Sequence, residues 1–265
     1  MSARRIFGLD FSGAKKAGRF IWLAEAERQG DGLRILSCRP AAELPGGAAN
    51  RETALAALRD FILAAPDAIF GCDFPFSLPQ ALIEAKSWTD FLAQFDHASA
   101  QVFRQHCRNR TNGKEPKRAT DRESRTPWSA FNVRLYHQTF HGLSGLLRPL
   151  VGAGQISVLP MQTPNRNCAW IIETCPASSL AHLGFRVPYK GAGQRDRRRW
   201  IMDRLVGHGS LNPLSPAIVA TILDNPGGDA LDSVIAALAT ASALTRIEAG
   251  AQEGDPLEGC VYFKL

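Results

Sequence analysis

The sequence predicts an α/β fold: a mixed β-sheet flanked by helices. Three observations carry this. The chain opens with three strand-like stretches, RRIFGLDF, RFIWLAEAE and GLRILSC, joined by short turn-rich breaks that make antiparallel neighbours. A helical stretch then leads to the short apolar run AIFGCD, the order of a crossover between parallel strands. From QISVLP to the C-terminus, strand-like and helix-like periods follow one another again.

Taken in order, SGAKKAG breaks the first strand from the second, and QGDG is a hairpin signal between the second and third. PAAELPGGAAN is a loop. Asn50 can cap a helix from about Arg51 to Ala65, with Leu55, Leu58, Ile62 and Leu63 as its apolar stripe. AIFGCD is a buried strand parallel to the first. Residues 74–153 interrupt this rhythm. PFSLPQALIEAKSWTDFLAQF predicts a proline-broken loop and a short helix. The basic segment 104–127, with Asn-Gly, two prolines and many charges, predicts a mobile loop, and a helix is expected from about Phe140 to Leu150. The block is expected to be an insertion at the functional end of one domain spanning residues 1–265. QISVLP and CAWIIET are strands, and Pro176 and Ala177 lead into a short helix through Leu183. GQRDRRRWIMDRLVGHG predicts a basic amphipathic helix with Trp200, Ile201, Leu205 and Val206 inward, followed by a helix from Ser215 to Leu223. Gly227 and Gly228 precede a helix from Asp229 to about Ile247, lined by Leu231, Val234, Ile235, Leu238 and Leu244, and CVYFKL is a terminal strand.

At 265 residues with 45% hydrophobic content, the chain can bury a sizeable core. The apolar runs AIF and AWII are far too short to cross a bilayer, and MSARRIFGLD has no apolar signal region, so no membrane partner and a cytoplasmic location are expected. Six cysteines without a C-x-x-C pair predict reduced thiols. His137 and His141 are four apart but lack an intervening Glu or a third ligand nearby, so a metal role is not assigned to them. The net charge is +6, and its position is informative. Between Arg104 and Arg125 eight basic residues stand against three acidic ones, and between Lys190 and Arg204 six stand against two. Such concentrations suit a polyanion such as nucleic acid, although a solvated, salt-bridged surface gives the same counts.

Four acidic residues end apolar strands or open a helix: Asp10 in IFGLDFSG, Asp73 in AIFGCDFPF, Glu173 in AWIIETCPAS and Asp232 in GGDALDSVIAALA. A charge beside a core must be solvated, paired or metal-bound, so four of them point to a carboxylate cluster for Mg²⁺ or Mn²⁺. Ser12 and Gly13 would admit a substrate phosphate near Asp10, and Pro75 and Pro79 stiffen the backbone after Asp73. For Glu173 a structural ion pair with an arginine stays open. Asp229 suits a helix N-cap, while Asp232 lies on the helix beside small residues that permit close approach to the sheet. Arg118 and Asp121 in R-A-T-D, and Lys190 in Y-K-G, are candidate substrate-binding residues.

The ordered motifs GLDFSGAKK followed by Trp22, then CDFPFSLP, R-A-T-D-R, IIETCPAS, P-Y-K-G and GGDALDSVIAALA resemble the DUF429 family of predicted RNase H-like nucleases, from Asp10 to the glycine element around Gly259. The resemblance implies an RNase H-like five-stranded sheet of order 3-2-1-4-5, with the first, fourth and fifth strands parallel. It also implies that Asp10, Asp73, Glu173 and Asp232 are the matching acidic positions, side by side at one edge. The expected activity is a metal-dependent phosphodiesterase or nuclease, in which two ions about 4 Å apart activate water and stabilise the leaving oxygen. DNA and RNA are not distinguished. Two alternatives remain: a non-catalytic nucleic-acid-binding protein of the same fold, and a nucleotide-binding phosphotransferase, for which one glycine-rich turn in 265 residues is too little.

Overall fold

A computed structural model describes residues 4–251 and 253–265. Strands β1 (Arg5–Asp10), β2 (Trp22–Gln29) and β3 (Gly32–Pro40) form an antiparallel meander. Helix α1 (Arg51–Leu63) begins where the Asn50 side chain accepts the Thr53 N–H, and it crosses to β4 (Ala68–Asp73), which pairs parallel to β1. Beyond β4 lie β6 (Ala169–Thr174) and then β5 (Ile156–Leu159), both parallel, giving the order β3-β2-β1-β4-β6-β5. The two-residue β7 (Val261–Tyr262) pairs with the end of β6. This is the RNase H-like arrangement; β5 and β7, read from QISVLP and CVYFKL, stand beyond the five strands that the resemblance implied.

Between β4 and β5 come α2 (Trp88–Gln94), α3 (Ala100–Arg110), α4 (Ala119–Glu123), α5 (Tyr136–Gly142) and α6 (Arg148–Gly152), the last two joined by one π-helical stretch, Leu143–Leu147. After β6 come α7 (Pro176–His182), α8 (Arg195–Gly207), α9 (Pro216–Asp224) and α10 (Asp229–Glu248).

Side chains alternate between the two faces of a strand, and that alternation builds two cores. Phe7, Leu9, Phe70 and Cys72 face α1 and the segment between β4 and β5. Ile6, Ile69, Trp170 and Ile172 face α8, α9 and α10. The β4–β5 segment, expected as an insertion, is an integral part of the core. Its Phe76, Trp88, Phe91, Phe103, Phe131 and Phe140 join the core beneath β1 and β4. Nor is 104–127 a plain loop. The first part completes α3, α4 follows, and Arg118, Thr120 and Asp121 are buried. Paired charges and internal hydrogen bonds keep this polar sequence folded, which a charge count does not reveal.

Helix α10 has 20 residues and is long and apolar enough by composition to cross a membrane, a length the inspection of short apolar runs overlooked. Here it packs on the sheet, with 78% of its apolar window buried. It can lie close because Gly8 and Gly71 have no side chains. A Cβ on Gly8 would stand 2.0 Å from the Ser233 carbonyl oxygen, and one on Gly71 would stand 1.8 Å from the Thr240 hydroxyl.

Candidate active site

The ends of β1 and β4 set the first two carboxylates. Asp10 lies opposite Asp73 in register, and both share the strand parity of Ile6, Gly8, Ile69 and Gly71, so both point to the α10 face. Close packing of α10 delivers Asp232 to that same place. Asp10 and Asp232 are almost fully buried, at 6% and 2% exposure. Burial pushes the Asp10 carboxyl well above its ordinary range, and Asp232 and Asp73 push it further. Burial, then Asp232, pushes Asp73 up to about 8. Asp229, in the first turn of α10, is also raised by burial.

One ammonium faces this cluster. Lys190 Nζ stands 2.7 Å from Asp232 Oδ2, and the Tyr189 hydroxyl donates to Asp232 Oδ1 at 2.6 Å. The Asp232 carboxylate, and Asp10 behind it, hold the pKa of the half-exposed Lys190 up. Lys190 was expected to meet a phosphate; in this structure it meets a carboxylate. The segment is fixed from behind by Arg198, buried in α8, which donates to the Tyr189, Gly191 and Leu223 carbonyls at 2.8, 3.0 and 2.8 Å. Gly191 takes φ +119, a conformation that favours glycine.

Glu173 sits at the same sheet edge but not on the same face. It shares the parity of Ile171, and it stands in register with Cys72, one residue before Asp73. Its side chain therefore meets the segment between β4 and β5. There Arg118 donates from Nη1 to Glu173 Oε2 at 2.8 Å and from Nη2 to Oε1, and the Phe76 N–H donates to Oε2 at 2.9 Å. Burial raises the Glu173 pKa, and Arg118 opposes that. Arg118 also holds Asp121 from Nε at 3.0 Å and from Nη2 at 2.7 Å, and it holds the Glu258 carbonyl at 3.2 Å. All five N–H donors of its guanidinium are spent, so as placed Arg118 offers none to a substrate. Asp121 is correspondingly taken up by Arg118, although both line the cleft. The open ion-pair alternative for Glu173 is the arrangement found.

On β6 the residue that continues the Asp10–Asp73 row is Thr174. Its Oγ1 is buried without a hydrogen-bond partner, among the described residues. Nothing in the sequence marks it as polar company for the aspartates, because the eye goes to Glu173. Gln138 was also overlooked. Its Nε2 donates to the carbonyls of Phe11 and Asp73, the latter at 2.9 Å, and so ties the ends of β1 and β4 together.

A cleft of about 540 Å³ opens over these groups, lined by Asp10, Asp73, Asp229, Glu173, Lys190 and Ser12 among others. Ser12 lies at its rim, its hydroxyl accepting the Ala14 N–H at 3.3 Å. The donors gathered on the α10 face are oxygens, from three aspartates, Asp229 at the rim and the orphaned Thr174 hydroxyl, with the Cys175 thiol also lining the cleft. That chemistry fits a hard divalent cation such as Mg²⁺ or Mn²⁺. The side chains are not closed into a finished metal cage. Among the described residues no group of three His, Cys, Asp or Glu stands in ligating geometry, and Lys190 holds Asp232. His137 and His141 stack at 6.0 Å, away from the aspartates in a neighbouring cavity.

No protein-family model matches the sequence, and no curated protein matches it. Among solved structures, the crystal structure of the yeast mitochondrial Holliday junction resolvase Ydc2 aligns over 89% of this chain and 77% of its own, at 14% identity and a TM-score of 0.35. A likeness so distant carries no argument, and the RNase H-like arrangement rests on the strand order of this chain.

Proposed function

We propose that this protein is a metal-dependent phosphodiesterase acting on nucleic acid, a nuclease of the DUF429 type. The observation that carries the reading is the in-register pair Asp10–Asp73 beneath Asp232, two buried carboxylates and one half-buried one with a single ammonium, that of Lys190, beside them among the described residues. Buried negative charge without enough counter-charge is costly and is usually retained for a function. Asp10, Asp73 and Asp232 would hold the cation, with Asp229 at the rim and Thr174 as partner to a ligand or to bound water. Such an ion, when bound, supplies water of lowered pKa and charge for the leaving oxygen. The chain itself contributes the rest. Gln138 keeps the two strand ends together, Arg198 holds the 189–191 segment in place, and Lys190, once separated from Asp232, carries a positive charge for a phosphate oxygen. Glu173 is proposed to act through Arg118, as an anchor for α4 and β6.

The test is cleavage of DNA and RNA oligonucleotides by purified protein with Mg²⁺ or Mn²⁺. Wild type should cut at least one of them, and Asp10→Asn and Asp73→Asn should abolish cutting while melting as folded proteins. Full metal-dependent activity in either variant would reject the assignment. One observation favours a second reading. Lys190 already partners Asp232 and Arg118 already partners Glu173, as in a binding protein that needs no metal. That protein would bind nucleic acid in a salt-sensitive way without metal-dependent turnover.

A further inference from the structure

A second cavity, about 630 Å³, adjoins the carboxylate cleft and shares Ser12, Ala14, Arg134 and Gln138 with it. Its character is the reverse of the cleft's. Lys15, Arg51 and Arg134 line it, and no Asp or Glu does. Among the described residues none of these three is ion-paired with a carboxylate: Arg51 Nη1 donates to the Gly13 carbonyl at 2.9 Å, and Arg134 lies over the Trp128 ring at 4.8 Å. Two helices start at its wall, α1 at Arg51 and α3 at Ala100, which turns the positive ends of two helix dipoles towards it, although the Arg51, Thr53 and Val102 N–H groups are already held by the Lys15 carbonyl, Asn50 and Ser99. His137 and His141 complete the lining. Burial holds the His141 imidazole down at about 4, with Arg51 and His137 adding to the effect, so this histidine adds no positive charge of its own near neutral pH.

We propose that this cavity seats a backbone phosphate of the nucleic-acid strand beside the one presented to the carboxylate cluster. The inference rests on the phosphodiesterase reading and adds to it a direction for the strand, from Asp10 past Ser12 towards α3. Cations set next to, and not within, the acidic cleft leave the carboxylates free for metal while the neighbouring phosphate is neutralised. The basic windows singled out in the sequence do not supply this site, since Lys15, Arg51 and Arg134 all lie outside them.

The experiment is anisotropy of a labelled single-stranded oligonucleotide at several salt concentrations without added metal. It compares wild type with Lys15→Gln, Arg134→Gln, the double variant, and Lys264→Gln as a charge-matched control away from the cavity. Lys15 and Arg134 are chosen because no side-chain hydrogen bond within the fold is lost with either. Each single variant should weaken binding and lower the slope of log K against log salt by about 0.7, the double variant by about twice that, and the control by nothing. Cavity variants with the wild-type slope, or a control that loses as much, would overturn the subsite while leaving the phosphodiesterase reading intact. A wild-type protein that binds no oligonucleotide would overturn both.

Discussion

Asp10 and Asp73 face each other across two parallel strands with Asp232 as a third negative neighbour, and a pH dependence follows from that crowding. Asp73 titrates near 8 when folded against an ordinary 3.8. Between those values the folded state holds more protons than the unfolded one, so stability falls as pH rises through that window. The slope is at most about 1.4 kcal/mol per pH unit for each such group. Thermal melts of metal-free protein should therefore drop from pH 5 to pH 8, and Asp73→Asn should flatten the curve; an equally steep curve in Asp73→Asn would contradict this. Arg118 is the opposite case. It is a buried cation with every donor used, and Arg118→Met leaves Glu173 and Asp121 as buried unpaired charges. The expected loss is about 3–5 kcal/mol in urea unfolding, with little rescue by Arg118→Lys because an ammonium cannot span both carboxylates. A loss below about 1 kcal/mol would put the network near the value of a surface pair. The four acids are legible from the sequence as charges at strand ends. The separation of Glu173 from the others lies in the single-residue offset between the AIFGCD and AWIIET strand ends, which only the register reveals. That register places Cys72, and not Asp73, beside Glu173.

Among the elements, α10 governs whether the cluster exists. Its approach depends on Gly8 and Gly71 beneath it, and Gly8→Ala would drive a Cβ into the Ser233 carbonyl. The cost should be roughly 1–3 kcal/mol or more, and because Asp232 rides on the same helix, Mn²⁺ affinity should fall with it. A Gly8→Ala protein with wild-type melting and Mn²⁺ binding would show that the contact is not tight. The cap at Asn50 could be read from the sequence because caps are local chemistry, whereas Asp229, expected as the cap of α10, is its first helical residue and Gly228 with φ +82 takes the cap position. The segment between β4 and β5 could not. Its aromatics are spaced irregularly, and what seats them is the far side of β1 and β4, a contact between residues remote in sequence. The strap at Tyr189–Gly191 was visible as Y-K-G, but its anchor Arg198 looked like one more surface charge in α8.

Across the whole molecule, charge is sorted more finely than a net +6 conveys. Two arginines of the basic windows, Arg118 and Arg198, are interior struts, at 0% and 1% exposure. Others are committed to neighbours, as Arg104 is to Glu115 and Arg110 to Glu84. Counting charges along the chain therefore mixes interior struts and paired residues with exposed ones such as Arg125, Arg197 and Arg199. At the site itself the uncompensated groups are the aspartates at the sheet edge and the cations of the adjoining cavity. The most direct measurement is anomalous diffraction from crystals grown with Mn²⁺. The account predicts a peak between Asp10 and Asp73, about 2.0–2.3 Å from their carboxylate oxygens, with Lys190 drawn away from Asp232. A cleft without a peak at saturating Mn²⁺, its aspartates still closed around Lys190, would contradict it.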